Sequence, residues 1–221
     1  MARSISDLQD IIGYRFTDLD LLRTALTHSS TGERSNYERL EFLGDRVLGL
    51  VIAALLFNSF PDEKEGDLAK RLASLVQGET LAKLSERISL GDFILFSDAE
   101  AAAGGANNEH ILADVFEAVI GALYMDGGLQ ICRTLIETHW QDVLYTMKEP
   151  PQHPKTAVQE WAQAKGLPLP QYEITGQSGP DHAPIFEVQL IVRGHSPIVG
   201  NGRSRAEAEK NAATSFLSGI K

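Results

Sequence analysis

A chain of 221 residues can bury a sizeable core and can form one large domain or two smaller ones. Its 23% charged and 43% hydrophobic residues are those of an ordinary soluble globular protein, no apolar run approaches a membrane span, and Met1–Asp7 lacks the apolar region of a signal peptide. The single cysteine, Cys132, excludes an intrachain disulfide and a thiolate zinc cluster and points to a reducing cytoplasm; the net charge of −10 gives no long-range attraction to phosphate.

The elements follow in chain order. Residues 4–12 and 18–27 read as short helices, the second capped by Asp18. After a polar loop, a long helix begins near Asn36 and runs to Asn58-Ser59-Phe60-Pro61, where proline stops it. Residues 67–84 read as one amphipathic helix, and the Ala-Gly-Asn stretch 99–108, which has no periodicity, reads as a flexible loop. A second apolar helix starts at Glu109 and ends at Asp126-Gly127-Gly128, with 129–147 as the last helix of this half. Prolines 150, 151 and 154 mark a linker, 150–153. Beyond it the pattern changes to a helix over about 154–165, alternating strands at 171–177, 185–193 and 196–202, and a helix over 204–220. The fold class is an all-α domain, 1–149, followed by a small α+β domain of α-β-β-β-α order, 154–221, with an antiparallel sheet and both helices on one face. Charge divides with it: residues 1–150 hold 13 Lys and Arg against 24 Asp and Glu, a net −11, and 151–221 hold 7 against 6, a net +1.

Two stretches place carboxylates inside apolar helices. In Asn36-Tyr37-Glu38-Arg39-Leu40-Glu41-Phe42-Leu43-Gly44-Asp45, Glu38, Glu41 and Asp45 at i, i+3 and i+7 fall within a narrow sector of one helix face. In Ile111-Leu112-Ala113-Asp114-Val115-Phe116-Glu117, Asp114 and Glu117 repeat the construction at i and i+3. A carboxylate in an apolar setting costs several kcal/mol, about enough to demand an ion pair, hydrogen bonds or a metal. Oxygen-only donors suit a hard divalent cation with positions left for water and phosphate. Taken singly each acid could be structural, and Glu38 could equally serve an ion pair with Arg39, Arg46 or a neighbouring helix. Phe42, on an apolar helix, is core by default.

The run Glu-Arg-Leu-Glu-Phe-Leu-Gly-Asp (38–45), with Ile-Leu-Ala-Asp-x-x-Glu-Ala (111–118) after it, resembles the bacterial ribonuclease III family, and 152–220 resembles the double-stranded-RNA-binding domain that follows the nuclease domain there. The resemblance implies an endonuclease cleaving double-stranded RNA in rRNA and mRNA processing, as a cytoplasmic homodimer, leaving 5′-phosphate and 3′-hydroxyl ends with short 3′ overhangs. It implies that Glu41, Asp114 and Glu117 ligate Mg²⁺, with Mn²⁺ able to substitute, that Asp45 and Glu117 are catalytic, and that Glu38 and Glu65 are supporting acids. Phe42 matches an aromatic that packs into the second subunit. Gln159 and Glu160, His182, and Arg203, Ser204 and Arg205 match the three regions that contact duplex RNA, as an A-form helix requires. The chain departs from the family pattern in four places: Arg46 follows Asp45 where Ser is common, Asn107-Asn108 replaces a more basic pair, Ala206 stands in place of a second basic residue, and His153 replaces a capping Asp. A duplex-RNA-binding regulator without catalysis and an all-helical scaffold with an adaptor domain are the rival readings.

Overall fold

The computed structural model describes residues 4–147, 149–180 and 184–220. The chain divides between Pro151 and Gln152 into two compact units.

The first unit is helical. α1 (Ile5–Ile12) is closed at its start by a reciprocal pair: Asp7 N donates to Ser4 Oγ at 3.2 Å and Ser4 N to Asp7 Oδ2 at 2.8 Å. α2 (Leu19–Leu26) has the expected cap, Asp18 Oδ1 accepting from Asp20 N. α3 (Glu38–Ser59) and α7 (Glu109–Thr146) form the most extensive helix pair. Around them lie α4 (Glu65–Leu75), α5 (Gly78–Arg87), the short α6 (Asp98–Ala102) and single 3₁₀ turns at Ser29–Thr31, Leu90–Phe93 and Gly105–Asn107.

Two expectations need correction. The stretch 67–84 is two helices, because Gln77 is extended (φ −69°, ψ 150°) and the chain turns between α4 and α5. The turn is held by Thr80 Oγ1, which donates to Ser74 O at 2.8 Å. The stretch 99–108 carries α6 and a 3₁₀ turn, since Ser97 caps α6 by accepting from Glu100 N; local capping, invisible to hydrophobic periodicity, orders it.

By length and composition the helix over 109–144 could cross a membrane, yet half of its most apolar 18-residue stretch is buried inside the unit, where Val115, Phe116, Val119, Ile120 and Leu123 fill the core. Gly128 interrupts α7 with φ 77° and ψ −178°, a conformation open to glycine, so the segment changes direction there. Asp126 beside it accepts from Tyr14 Oη at 2.9 Å, Thr17 N at 2.8 Å and Asp18 N at 2.9 Å, fastening the α1–α2 loop to the bend. Arg71, almost fully buried, forks onto Glu63 at 2.8 and 2.6 Å, donates to Met147 O at 2.7 Å and stacks 3.8 Å over Phe60.

The second unit has the expected order: α8 (Pro154–Ala164), β1 (Gln171–Ser178), β2 (Ile185–Ile191), β3 (Ile198–Gly202) and α9 (Arg205–Gly219). The sheet is antiparallel, β1-β2-β3, with Val188 of β2 opposite both Ile174 and Gly200. Its core is Val158, Leu190, Val192, Ala212, Ala213 and Phe216, contributed by α8, α9, β2 and the residue just after β2. His153 gives α8 no side-chain cap, as its replacement of a capping acid predicts.

Candidate active site where two helices cross

The site is built by two glycines. A Cβ on Gly44 would stand 1.8 Å from Glu117 O, and one on Gly121 would stand 2.2 Å from Leu40 O. Only glycine at both positions lets the α3 and α7 backbones approach this closely. Glu41 and Asp45 lie within one turn of Gly44, and Asp114 and Glu117 lie just before Gly121, so the crossing gathers all four acids.

Their charges act on one another. Burial pushes the Glu117 carboxyl up to about 8, with Asp45, Glu41 and Asp114 raising it further and Arg46 partly opposing them. Burial also raises Glu41, followed by Asp114, Glu38 and Asp45. Asp114 is raised by burial and held back by His110 and His28. Three of these four acids are therefore raised from their ordinary values. Glu38 and Glu41 occupy the first turn of α3, where the helix dipole offsets part of their charge.

The expected residues do not all converge. Glu38 is exposed at the first position of α3, with its backbone N–H on Asn36 Oδ1 at 3.1 Å, and its charge reaches Glu41. Arg46, a proposed alternative partner for Glu38, pairs with Asp45 instead. Glu65 opens α4, exposed, and is not among the charges acting on Glu117. Phe42 is 72% exposed, so it is not the core residue that its apolar helix suggests by default.

Four residues were not assigned to the site from the sequence. Tyr37 is buried directly before Glu38, and burial and then Asp114, Glu41 and Glu38 raise its hydroxyl pKa. His28, read as structural, stacks on Tyr37 with ring centroids 5.5 Å apart, and its charge reaches Asp114. Gly44 and Gly121 are visible in the sequence only as glycines inside apolar helices, which by itself reads as a local weakness.

On donor chemistry the quartet fits a divalent ion: four carboxylates crowded into a half-buried site form an oxygen-only set with excess negative potential. Among the described residues no three acidic or imidazole side chains already stand at ligating geometry.

In the second unit, Gln159 and Glu160 are exposed on α8, and Glu160 accepts from Gln152 Nε2 at 3.2 Å. Ser204 caps α9 by accepting from Glu207 N at 3.2 Å, and Arg203 N donates to Glu207 Oε2 at 2.7 Å. Arg205 is exposed, with Nε on Glu209 Oε1 at 2.8 Å. His182 lies outside the described residues.

Comparison with known proteins fits this architecture. The family profile described as Ribonuclease-III-like matches residues 18–143, and the one described as Double-stranded RNA binding motif matches 154–219. The chain is 46% identical over 217 residues to Ribonuclease 3 of Ehrlichia ruminantium strain Welgevonden, covering 96% of each chain. It is 45% identical over 219 residues to Ribonuclease 3 of Caulobacter vibrioides strain NA1000, covering 97% of this chain and 95% of that one. Among solved structures it resembles the nuclease domain of ribonuclease III from Campylobacter jejuni, with TM-score 0.60, 44% identity, and 62% of this chain and 99% of that one covered. A helical nuclease unit joined to a duplex-RNA-binding unit defines the class, an endoribonuclease of double-stranded RNA. The chain belongs to the ribonuclease III family.

Proposed function

We propose that this endoribonuclease cuts both strands of an RNA duplex by divalent-ion-dependent phosphodiester hydrolysis, with Glu41, Asp114 and Glu117 holding the ion and Asp45 orienting the groups around it. The carrying observation is the acidic crowding at the Gly44–Gly121 crossing, where burial and then Asp45, Glu41 and Asp114 raise Glu117, and burial and then Asp114, Glu38 and Asp45 raise Glu41: neighbouring acids that resist ionisation are stabilised as anions by a cation. A bound Mg²⁺, or Mn²⁺ in its place, supplies an activated water and charge stabilisation at phosphorus. The protein's own work is to hold four oxygen donors on two rigid helices, keep them half-buried, and present an edge lined by Glu38. Glu65 stands apart from this group as a supporting acid.

The exposed stripe Phe42, Leu50 and Phe57 on α3 supports a homodimer, since these three lie within about 80° of one another around the helix. The Campylobacter jejuni nuclease domain, described as having a region involved in dimer formation, supports the same reading. A two-fold axis relating two single-strand sites would cut both strands with an offset, giving short 3′ overhangs with 5′-phosphate and 3′-hydroxyl ends. Exposed Gln159, Glu160, Arg203 and Arg205, the last two at the N-terminus of α9, support groove and phosphate contacts, with Ser204 fixing that terminus. His182 completes the proposed contact set. Work in RNA processing in a reducing cytoplasm accords with one buried cysteine, whose thiol burial pushes up to about 11 and so keeps unreactive.

A long RNA duplex incubated with wild type and Glu117→Ala, each with Mg²⁺ and with chelator, tests the reading. Cutting by wild type in Mg²⁺ alone, reduced at least about a thousandfold in the variant, is expected. Cutting at the wild-type rate by Glu117→Ala would overturn the assignment, and binding without cutting by wild type would favour the regulator.

A further inference from the structure

Arg46 follows Asp45 directly on α3 and forms an ion pair with it, Nη2 to Oδ2. Consecutive residues on a helix point about 100° apart and do not normally face each other. Arg46 is 74% exposed and has open solvent available, yet its guanidinium folds back onto the acidic cluster. Its charge also reaches across the crossing to Glu117 on α7, where among the described residues it is the cation acting against Asp45, Glu41 and Asp114. The remaining cationic influence in the cluster comes from the imidazoles of His28 and His110, and it falls on Asp114.

We propose that Arg46 is a built-in counterion of the acidic site: it holds Asp45 before a divalent ion arrives, yields when one binds, and so sets the ion concentration at which the site fills. The proposal rests on reading the quartet as the ion site. The guanidinium is tethered one residue from Asp45 and needs no rearrangement of either helix to let go. Being exposed, the pair is weak and screened by salt, which suits a partner meant to be displaced. An arginine buried against the same acid would instead compete permanently with the ion.

The test is direct binding of Mn²⁺ to the full chain without RNA, read from the free-ion signal in electron paramagnetic resonance. Wild type, Arg46→Gln, Arg46→Lys and the double variant Asp114→Asn/Glu117→Gln are compared. Arg46→Gln is expected to bind Mn²⁺ about threefold to fivefold more tightly than wild type, the range an exposed ion pair supports. Arg46→Lys, which keeps the charge, is expected to stay near wild type, and the gap between wild type and Arg46→Gln is expected to narrow at high salt. Unchanged or weaker binding by Arg46→Gln, or equal tightening by Arg46→Lys, overturns the proposal. Arg46 is exposed, so the variants are expected to fold, and matching far-ultraviolet circular dichroism checks that. Mn²⁺ binding that survives in the double variant would instead remove the ion-site reading itself, whatever Arg46 does.

Discussion

Glu117 in the nuclease unit and Glu209 in the duplex-RNA-binding unit are both helical carboxylates largely removed from water, and the charges around them have opposite signs. Burial and three neighbouring acids push Glu117 up to about 8. Glu209, 7% exposed, lies between Lys155 of α8 and Arg205 of α9; burial would raise it, but those two cations hold it below the ordinary glutamate value. A buried acid met by opposite charge is satisfied by the fold and contributes to it. One surrounded by like charge is a cost to the fold, and such a cost persists where another partner is to be supplied from outside. The two units thus set a carboxylate satisfied by the fold apart from one proposed to hold an ion, by what stands next to each.

Substitutions that break this contrast have effects of graded size. Largest is Gly44→Ala, whose Cβ would meet the Glu117 carbonyl and, at 2.9 Å, Gly121 N, both backbone atoms that cannot turn aside. Overpacking of this kind costs about 1–3 kcal/mol, and forcing α3 from α7 also separates the acids. The expected result is a clear drop in melting temperature together with loss of cutting. Gly49→Ala on the same helix meets nothing within 4 Å and is expected to gain about 0.5–1 kcal/mol from helix propensity. Equal melting of the two variants would show that the crossing does not depend on Gly44.

A smaller effect is expected from Glu209→Gln. Its partners are partly solvent-exposed, so the loss is about 1 kcal/mol. The lowered folded-state pKa of Glu209 means that its contribution is present above the unfolded value and fades as pH falls through the folded one. The melting deficit of Glu209→Gln should therefore shrink on acidification, and at neutral pH the variant's nuclease unit is expected still to cut. A deficit that grows on acidification would contradict the ion-pair account.

Much of this contrast was legible in the sequence because carboxylates interrupt apolar periodicity. Glu41, Asp45, Asp114 and Glu117 stand out for that reason, as do the strand alternation and the proline-marked boundary. The crossing itself was not legible: glycine inside a helix reads as a weakness until its partner glycine, 77 residues away, is known. Neither was the pairing of Arg46 with Asp45, since neighbouring residues on a helix do not normally face each other. The same holds for Asp126, whose three hydrogen-bond donors come from residues more than a hundred positions earlier. The break at Gln77 and the cap at Ser97 depend on local backbone bonds that hydrophobic pattern does not encode.

The most direct measurement combines melting and cutting for Glu117→Gln. The Glu117 proton is held more tightly in the folded protein, at about 8, than at the ordinary value of 4.5. Without metal, wild type therefore loses stability from this group as pH rises from about 4.5 to about 8, and the amide variant does not. The account predicts that metal-free Glu117→Gln melts above wild type by a margin that widens over that interval, while cutting of duplex RNA in Mg²⁺ is abolished. A variant that melts below wild type at pH 8 and still cuts would contradict it, making Glu117 a structural carboxylate like Glu209.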